Sequence, residues 1–281
     1  MSLNISSEKI DNPLLIDLLR QLTRTFSRIE NDFFVIGATA RDIILQVLAN
    51  TSAIRKTRDL DIAIAVTGWD KYNEVCSALI EDGFKKDTHL TQRFFFDDYE
   101  VDIVPYGAVA KADDNIYWPP EETIAMSVKG FDEVLKEAVT VCVNNEFEIR
   151  IASLHGLFLL KLNAWLDRNI GTNKDAEDMW YIVDNYYFAN EERGVHPEVY
   201  ELDDFDLTVG GAYWMAHDIA DILGQGQLLY YRDILAKEAS LAEESRLVVQ
   251  ILETHRNLTL TDVVRGLSTI ADVFTKRMSD D

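Results

Sequence analysis

Positive charge is scarce in this chain. Its 281 residues hold 27 Lys and Arg against 49 Asp and Glu, a formal net charge of −22. Proteins with long nucleic-acid footprints are usually basic, because phosphate contacts dominate their affinity. A chain of this sign repels a polyanion as a whole, so extended nucleic-acid binding is disfavoured, although a local basic patch is compatible with it. Acidity also serves solubility alone. Cysteine is nearly absent. Cys76 and Cys142 lie far apart and form neither a metal-ligand nor a CxxC spacing, which fits a reduced, cytoplasmic protein. The five histidines are scattered, with none paired at metal spacing. No run of about 18 apolar residues occurs, so no membrane span is expected. The N-terminal MSLNISSEKIDN has no apolar stretch of the secretory kind. Repeats and low-complexity linkers are missing too.

What is present is enough apolar residue, 47% of the chain, to bury one large core or two ordinary ones. Residues 10–29 read as an amphipathic helix, with Ile10, Leu14, Leu15, Leu18, Leu19, Leu22, Phe26 and Ile29 at helical spacing. Phe33-Phe34-Val35-Ile36 reads as a buried strand ended by Gly37. A helix over 40–49 follows, with Ile43, Ile44, Val47 and Leu48 on its core side. Residues 59–66 alternate strictly and predict a strand, then a helix over about 68–82. Residues 93–96 and 99–104 predict strands joined by a tight turn at Asp97–Asp98, with further strands at 138–143 and 147–151. The pattern then becomes helical: 153–168, 174–187, a loop near 194–206, and helices near 209–223, 226–239, 240–253 and 260–277. The expectation is an α+β domain over 1–151, a mixed sheet with flanking helices, followed by a helical domain over 152–281.

Residues two apart on a strand share a face, so Asp59 and Asp61 point one way with Ala63 and Ala65, and Leu60, Ile62, Ile64 and Val66 point the other. Asp102 sits between Val101 and Ile103 and shares its face with Glu100. If the two strands paired, three aspartates would converge and repel one another. A divalent cation relieves that repulsion, and oxygen-only ligands suit Mg²⁺. Two such ions can hold the attacking and leaving oxygens of a phosphoryl displacement. Acids facing solvent on an edge strand are the plainer alternative.

Gly37-Ala38-Thr39-Ala40-Arg41-Asp42 joins a strand to a helix. Glycine permits a sharp turn and a close ligand approach, and a helix start offers free N–H groups to an anion. Thr39 and Asp42 fit the spacing of a capping box. Arg41 reads equally as a phosphate contact or a surface residue. Lys161 lies among Leu157, Phe158, Leu159, Leu160 and Leu162, so it must snorkel, pair with an acid or face a cavity. Arg168, Lys174, Asp175 and Asp178 could complete a salt-bridge network with it.

These segments together resemble a known group. The order of a strand, Gly37 with a small residue and a hydroxyl, a helix, Asp59-x-Asp61 between aliphatics, and Asp102 on a later strand is similar to the DNA-polymerase-β-like nucleotidyltransferase superfamily. Its pattern is hG[G/S], Dh[D/E]h and a third h[D/E]h. GATARDIIL also looks like the corresponding helix start of tRNA CCA-adding enzymes. VDIVPYG (101–107), SLHGLFLLKLNAWLDR (153–168) and KDAEDMWYI (174–182) bring the resemblance closer to bacterial predicted nucleotidyltransferases near the AbiEii-like toxins of type IV toxin–antitoxin systems, over roughly residues 30–185. The resemblance implies metal ligation by Asp59, Asp61 and Asp102, with two Mg²⁺ ions, and phosphate contact at Gly37, Ala38 and Thr39. It implies that Lys161 approaches the phosphates of a nucleoside triphosphate and that Asp175 is the later acidic motif. It also implies transfer of a nucleoside monophosphate to a small molecule, a tRNA end or a protein, and an antitoxin partner. A non-catalytic nucleotide- or partner-binding module would use the same framework. The family's second Gly or Ser is Ala38 here: its N–H remains, but the hydroxyl or the glycine freedom does not.

Overall fold

A computed structural model describes residues 2–6, 9–10, 12–51, 58–123, 125–201 and 206–279. It divides into two compact units, Met1–Ser153 and Leu154–Asp281. Of the loop read near 194–206, residues 202–205 lie outside the described residues.

In the first unit the elements run β1 (Ser2–Ile5), α1 (Pro13–Arg28), β2 (Phe34–Ile36), α2 (Gly37–Leu48), β3 (Asp59–Ala65), α3 (Trp69–Glu81), β4 (Lys85–Lys86), β5 (Arg93–Phe96) and β6 (Tyr99–Tyr106). They continue with β7 (Asn115–Tyr117), β8 (Ala125–Ser127), α4 (Phe131–Lys136), β9 (Val139–Val143) and β10 (Phe147–Ile151). Among the described residues eight strands form one mixed sheet in the order β1-β9-β10-β2-β3-β6-β5-β4, and β7 pairs with β8 apart from it. The aliphatic strands sit centrally: Val35, Leu60, Ile62, Ile64, Val101 and Ile103 are buried. Helix α1 starts where Asn12 accepts from the Leu15 N–H and Pro13 fits the first turn. It buries Leu15, Leu18, Leu19, Leu22 and Phe26, while Leu14 is exposed. The Thr25 hydroxyl donates to Asp82 at 2.7 Å, tying α1 to the end of α3.

Two local readings need correction. Helix α2 begins at Gly37 rather than near residue 40, and no side chain caps it, so the Thr39–Asp42 capping box does not form. Leu48 is exposed, and Leu45 takes its core position. Strand β1 was not legible in its polar sequence: it pairs in parallel with β9, Ser2 opposite Thr140 through Ile5 opposite Val143.

The second unit is helical: α5 (Leu154–Arg168), α6 (Lys174–Ala189), the short α7 (Pro197–Tyr200), α8 (Leu207–Ile222), α9 (Gln225–Leu241), α10 (Arg246–Thr254) and α11 (Leu260–Ser279). Two glycines let helices approach α6 closely. A Cβ at Gly211 would lie 2.8 Å from the Val183 carbonyl oxygen, and one at Gly266 would lie 2.7 Å from the Trp180 ring. Among the described residues no helix is long and apolar enough to cross a membrane.

Candidate active site

The site in the first unit is set by strand register. Strands β3 and β6 pair in parallel, with Asp61 opposite Asp102 and Asp59 opposite Glu100. Directly opposed residues share a face, so four carboxylates line one side of the pair. The opposite face is the buried aliphatic one, which holds the pair in this register: a slip by one residue would send the acids of the slipped strand inward. On the other edge of β3, Ile36 of β2 lies opposite Asp61. The chain therefore turns into α2 just beyond that aspartate.

Gly37 makes this turn with φ of +72°, in the left-handed region. A Cβ there would sit 2.2 Å from Asp61 Oδ2 and 3.0 Å from its Cγ. Glycine is thus required twice, by the backbone and by the Asp61 carboxylate, which occupies the space a side chain would fill. The result is a carboxylate at the N-terminal end of a helix, where the helix dipole favours negative charge. Thr39 donates its hydroxyl to the Asp59 backbone carbonyl at 3.1 Å, so it ties α2 to the start of β3. Ala38 is half-buried in the first turn.

Arg41 is not a surface residue. Its side chain is 1% exposed, and its Nε and Nη2 donate to Asp42 Oδ1 at 2.8 and 2.6 Å. Burial of a guanidinium demands such a partner, and Asp42 supplies it instead of capping the helix.

Arg93 of β5 is the residue that reading the sequence missed. It lies opposite Asp102 across the β5–β6 hairpin. Its Nε donates to Asp102 Oδ1 and its Nη2 to Oδ2, both at 2.8 Å. Nη1 stands 2.5 Å from Glu100 Oε2. The hydrogen bond to Asp102 pushes the Arg93 guanidinium further up from its already high value against the opposing cost of burial, and the charges of Asp102, Glu100 and Asp61 add to it. The signal was available: a two-residue turn at Asp97–Asp98 places 93 opposite 102.

A divalent ion fits the chemistry of this face but not its present arrangement. The donors are all hard oxygens, as Mg²⁺ prefers, and the absence of a side chain at Gly37 makes room for the Asp61 carboxylate. Yet among the described residues no group of three His, Cys, Asp or Glu side chains converges closely enough to hold a metal ion. Arg93 supplies the positive charge instead.

Lys161 and Asp175 belong to the second unit, in a different kind of cluster. Lys161 Nζ stands 2.7 Å from Asp178 Oδ2 and 3.3 Å from Asp175 Oδ1, while Arg168 Nε stands 2.7 Å from Asp175 Oδ2. The two aspartates are 1% exposed and Lys161 14%. Burial would raise the Asp175 carboxyl, but the Arg168 hydrogen bond and the charges of Lys161 and Arg168 hold it below the ordinary aspartate value. Of the three options the sequence left for this lysine, pairing with acids is realised.

No curated protein matches the chain in sequence. Among solved structures, it is similar to the solution structure of the antibiotic-resistance factor ANT(2'')-Ia, with 12% identity, 64% of this chain and 84% of that one covered, and a TM-score of 0.36. It is also similar to the crystal structure of ANT(2'')-Ia in complex with adenylyl-2''-tobramycin, with 12% identity, coverage of 64% and 90%, and a TM-score of 0.38. The family described as nucleotidyl transferase AbiEii toxin, type IV toxin–antitoxin system, matches residues 18–208. That span takes in the Gly37 turn, the paired acidic strands and the Lys161 helix, and the chain belongs to the AbiEii family of nucleotidyl transferase toxins.

Proposed function

We propose that this protein transfers a nucleoside monophosphate from a nucleoside triphosphate to an acceptor hydroxyl in a Mg²⁺-dependent reaction. The observation that carries the reading is the opposition of Asp61 and Asp102, with Asp61 packed against Gly37 at the uncapped start of α2. The first-turn N–H groups at Gly37 and Ala38 receive the phosphates, as helix starts do. Thr39 braces that turn from behind through Asp59. Asp59, Asp61 and Asp102 would hold the divalent ions, which supply charge neutralisation on the triphosphate. Asp102 accepts the acceptor's hydroxyl proton, because each of its oxygens keeps a lone pair beyond the one given to Arg93. The acceptor oxygen bonds to the α-phosphorus, the α–β bridge breaks, and pyrophosphate leaves.

The net charge of −22 supports an acceptor that needs no long polyanion track: a tRNA end, a protein or a small molecule. The family supports an antitoxin as partner. The test is incubation of pure protein with each labelled triphosphate, Mg²⁺ and cell extract. Label in a defined acceptor fraction is expected, abolished by chelation. Asp61→Ala should lower transfer at least about a thousandfold, the equivalent of the several kcal/mol a bound cation supplies, with the fold retained by circular dichroism. Wild-type transfer by Asp61→Ala would sink the assignment.

A further inference from the structure

We infer that Arg93 is a resident counter-cation of Asp102 and Glu100, a positioning residue that holds Asp102 and competes with a divalent ion for it. The inference rests on the metal reading above and adds a residue to it. Each of the three partnered nitrogens of this guanidinium meets a carboxylate of the same face: Nε and Nη2 grip both oxygens of Asp102, and Nη1 reaches Glu100. Arg93 is only 24% exposed and Asp102 19%, so water screens the pair incompletely. A guanidinium does not lose its proton in a protein. Its charge is therefore permanent, and only movement of the side chain can free Asp102.

The consequence is thermodynamic. Four carboxylates on one strand pair repel one another, and Arg93 relieves part of that repulsion while no ion is bound. An incoming divalent ion gains the Asp102 oxygens only by displacing or sharing them with a cation that stays nearby. Its affinity is thereby lowered, and loading is biased toward an ion that arrives with triphosphate oxygens of its own. A lysine at 93 would keep the charge but not the fork, since an ammonium cannot span both Asp102 oxygens and Glu100 in one plane.

The experiment is calorimetric titration of Mn²⁺ into the full chain without nucleotide, for the wild type, Arg93→Gln, Arg93→Lys and Asp61→Asn. Expected is Mn²⁺ binding roughly tenfold tighter in Arg93→Gln, an intermediate gain in Arg93→Lys, and loss of binding in Asp61→Asn. A merely structural arginine would give weaker or unchanged binding. Equal or weaker binding in both Arg93 variants, with wild-type binding intact and lost in Asp61→Asn, overturns this inference and leaves the metal reading standing. Absence of Mn²⁺ binding in the wild type and both Arg93 variants, all folded, overturns the metal reading itself. If Arg93→Gln does not fold, the Arg93→Lys titration decides by the same criteria.

Discussion

Two clusters of charge in this protein are built in opposite ways. On the β3–β6 face, Asp59, Asp61, Glu100 and Asp102 line up by register, and the Arg93 guanidinium meets Glu100 and Asp102. In the helical unit, Lys161 and Arg168 meet Asp175 and Asp178, two cations to two acids, with both acids almost wholly buried. Buried ions persist only when balanced, because the cost of removing them from water must be offset within the cluster. An excess of one sign survives where solvent or a ligand completes it. The balanced cluster is internally neutralised, and the acidic face is the one on which the proposed divalent ion would sit. Lys161, to which the resemblance assigns a phosphate role, is held in the balanced cluster by Asp175 and Asp178.

Removing one ion from the balanced cluster should give the largest stability loss. Lys161→Met leaves Asp178 buried without the cation that stands beside it, and should cost roughly 3–5 kcal/mol, read as a lowered urea midpoint. Little change in that midpoint would erase the distinction between the clusters. Next comes Gly37→Ala, which sharpens the comparison from the other side. It forces a side chain into left-handed backbone and into the Asp61 carboxylate, so a loss of about 1–3 kcal/mol is expected. Transfer should fall at the same time by far more than stability accounts for. Activity retained at wild-type level would separate Asp61 from the chemistry.

The smallest effect concerns an acid that belongs to neither pattern. Burial raises Asp184 to about 6, against the Thr208 hydrogen bond that lowers it, and the charge of Asp262 raises it further. Its folded value lies above the ordinary 3.8, so its contribution to stability is full below about pH 3.8 and is lost as the pH rises through about 6. Asp184→Asn removes that loss and should stabilise the protein at pH 7 by about 1 kcal/mol, discounted for partial exposure. The gain should vanish near pH 4. A gain of equal size at both pH values would assign the effect to something other than ionisation.

The features legible from the chain alone are local and periodic. The alternation in residues 59–66 and 99–104 assigned each aspartate to a face, because the strand period of two leaves no choice once the aliphatic face is buried. The two-residue turn at Asp97–Asp98 fixed the pairing of Arg93 with Asp102, although that consequence is visible only when the register is counted out. The helical run after residue 153 was likewise legible from its spacing. The remaining features are non-local and come from packing. A parallel pair has no connecting turn to set its register, so the opposition of Asp61 to Asp102 depends on the α3 crossover and on core packing. Helix α2 starts at Gly37 without a side-chain cap, and only the fold places Gly37 against the Asp61 carboxylate. The polar segment Ser2–Ile5 is a strand because β9 offers it an unpaired edge, and Lys161 is an ion-pair partner because α6 brings two aspartates to it. In each case a residue's role was set by what another part of the chain placed beside it.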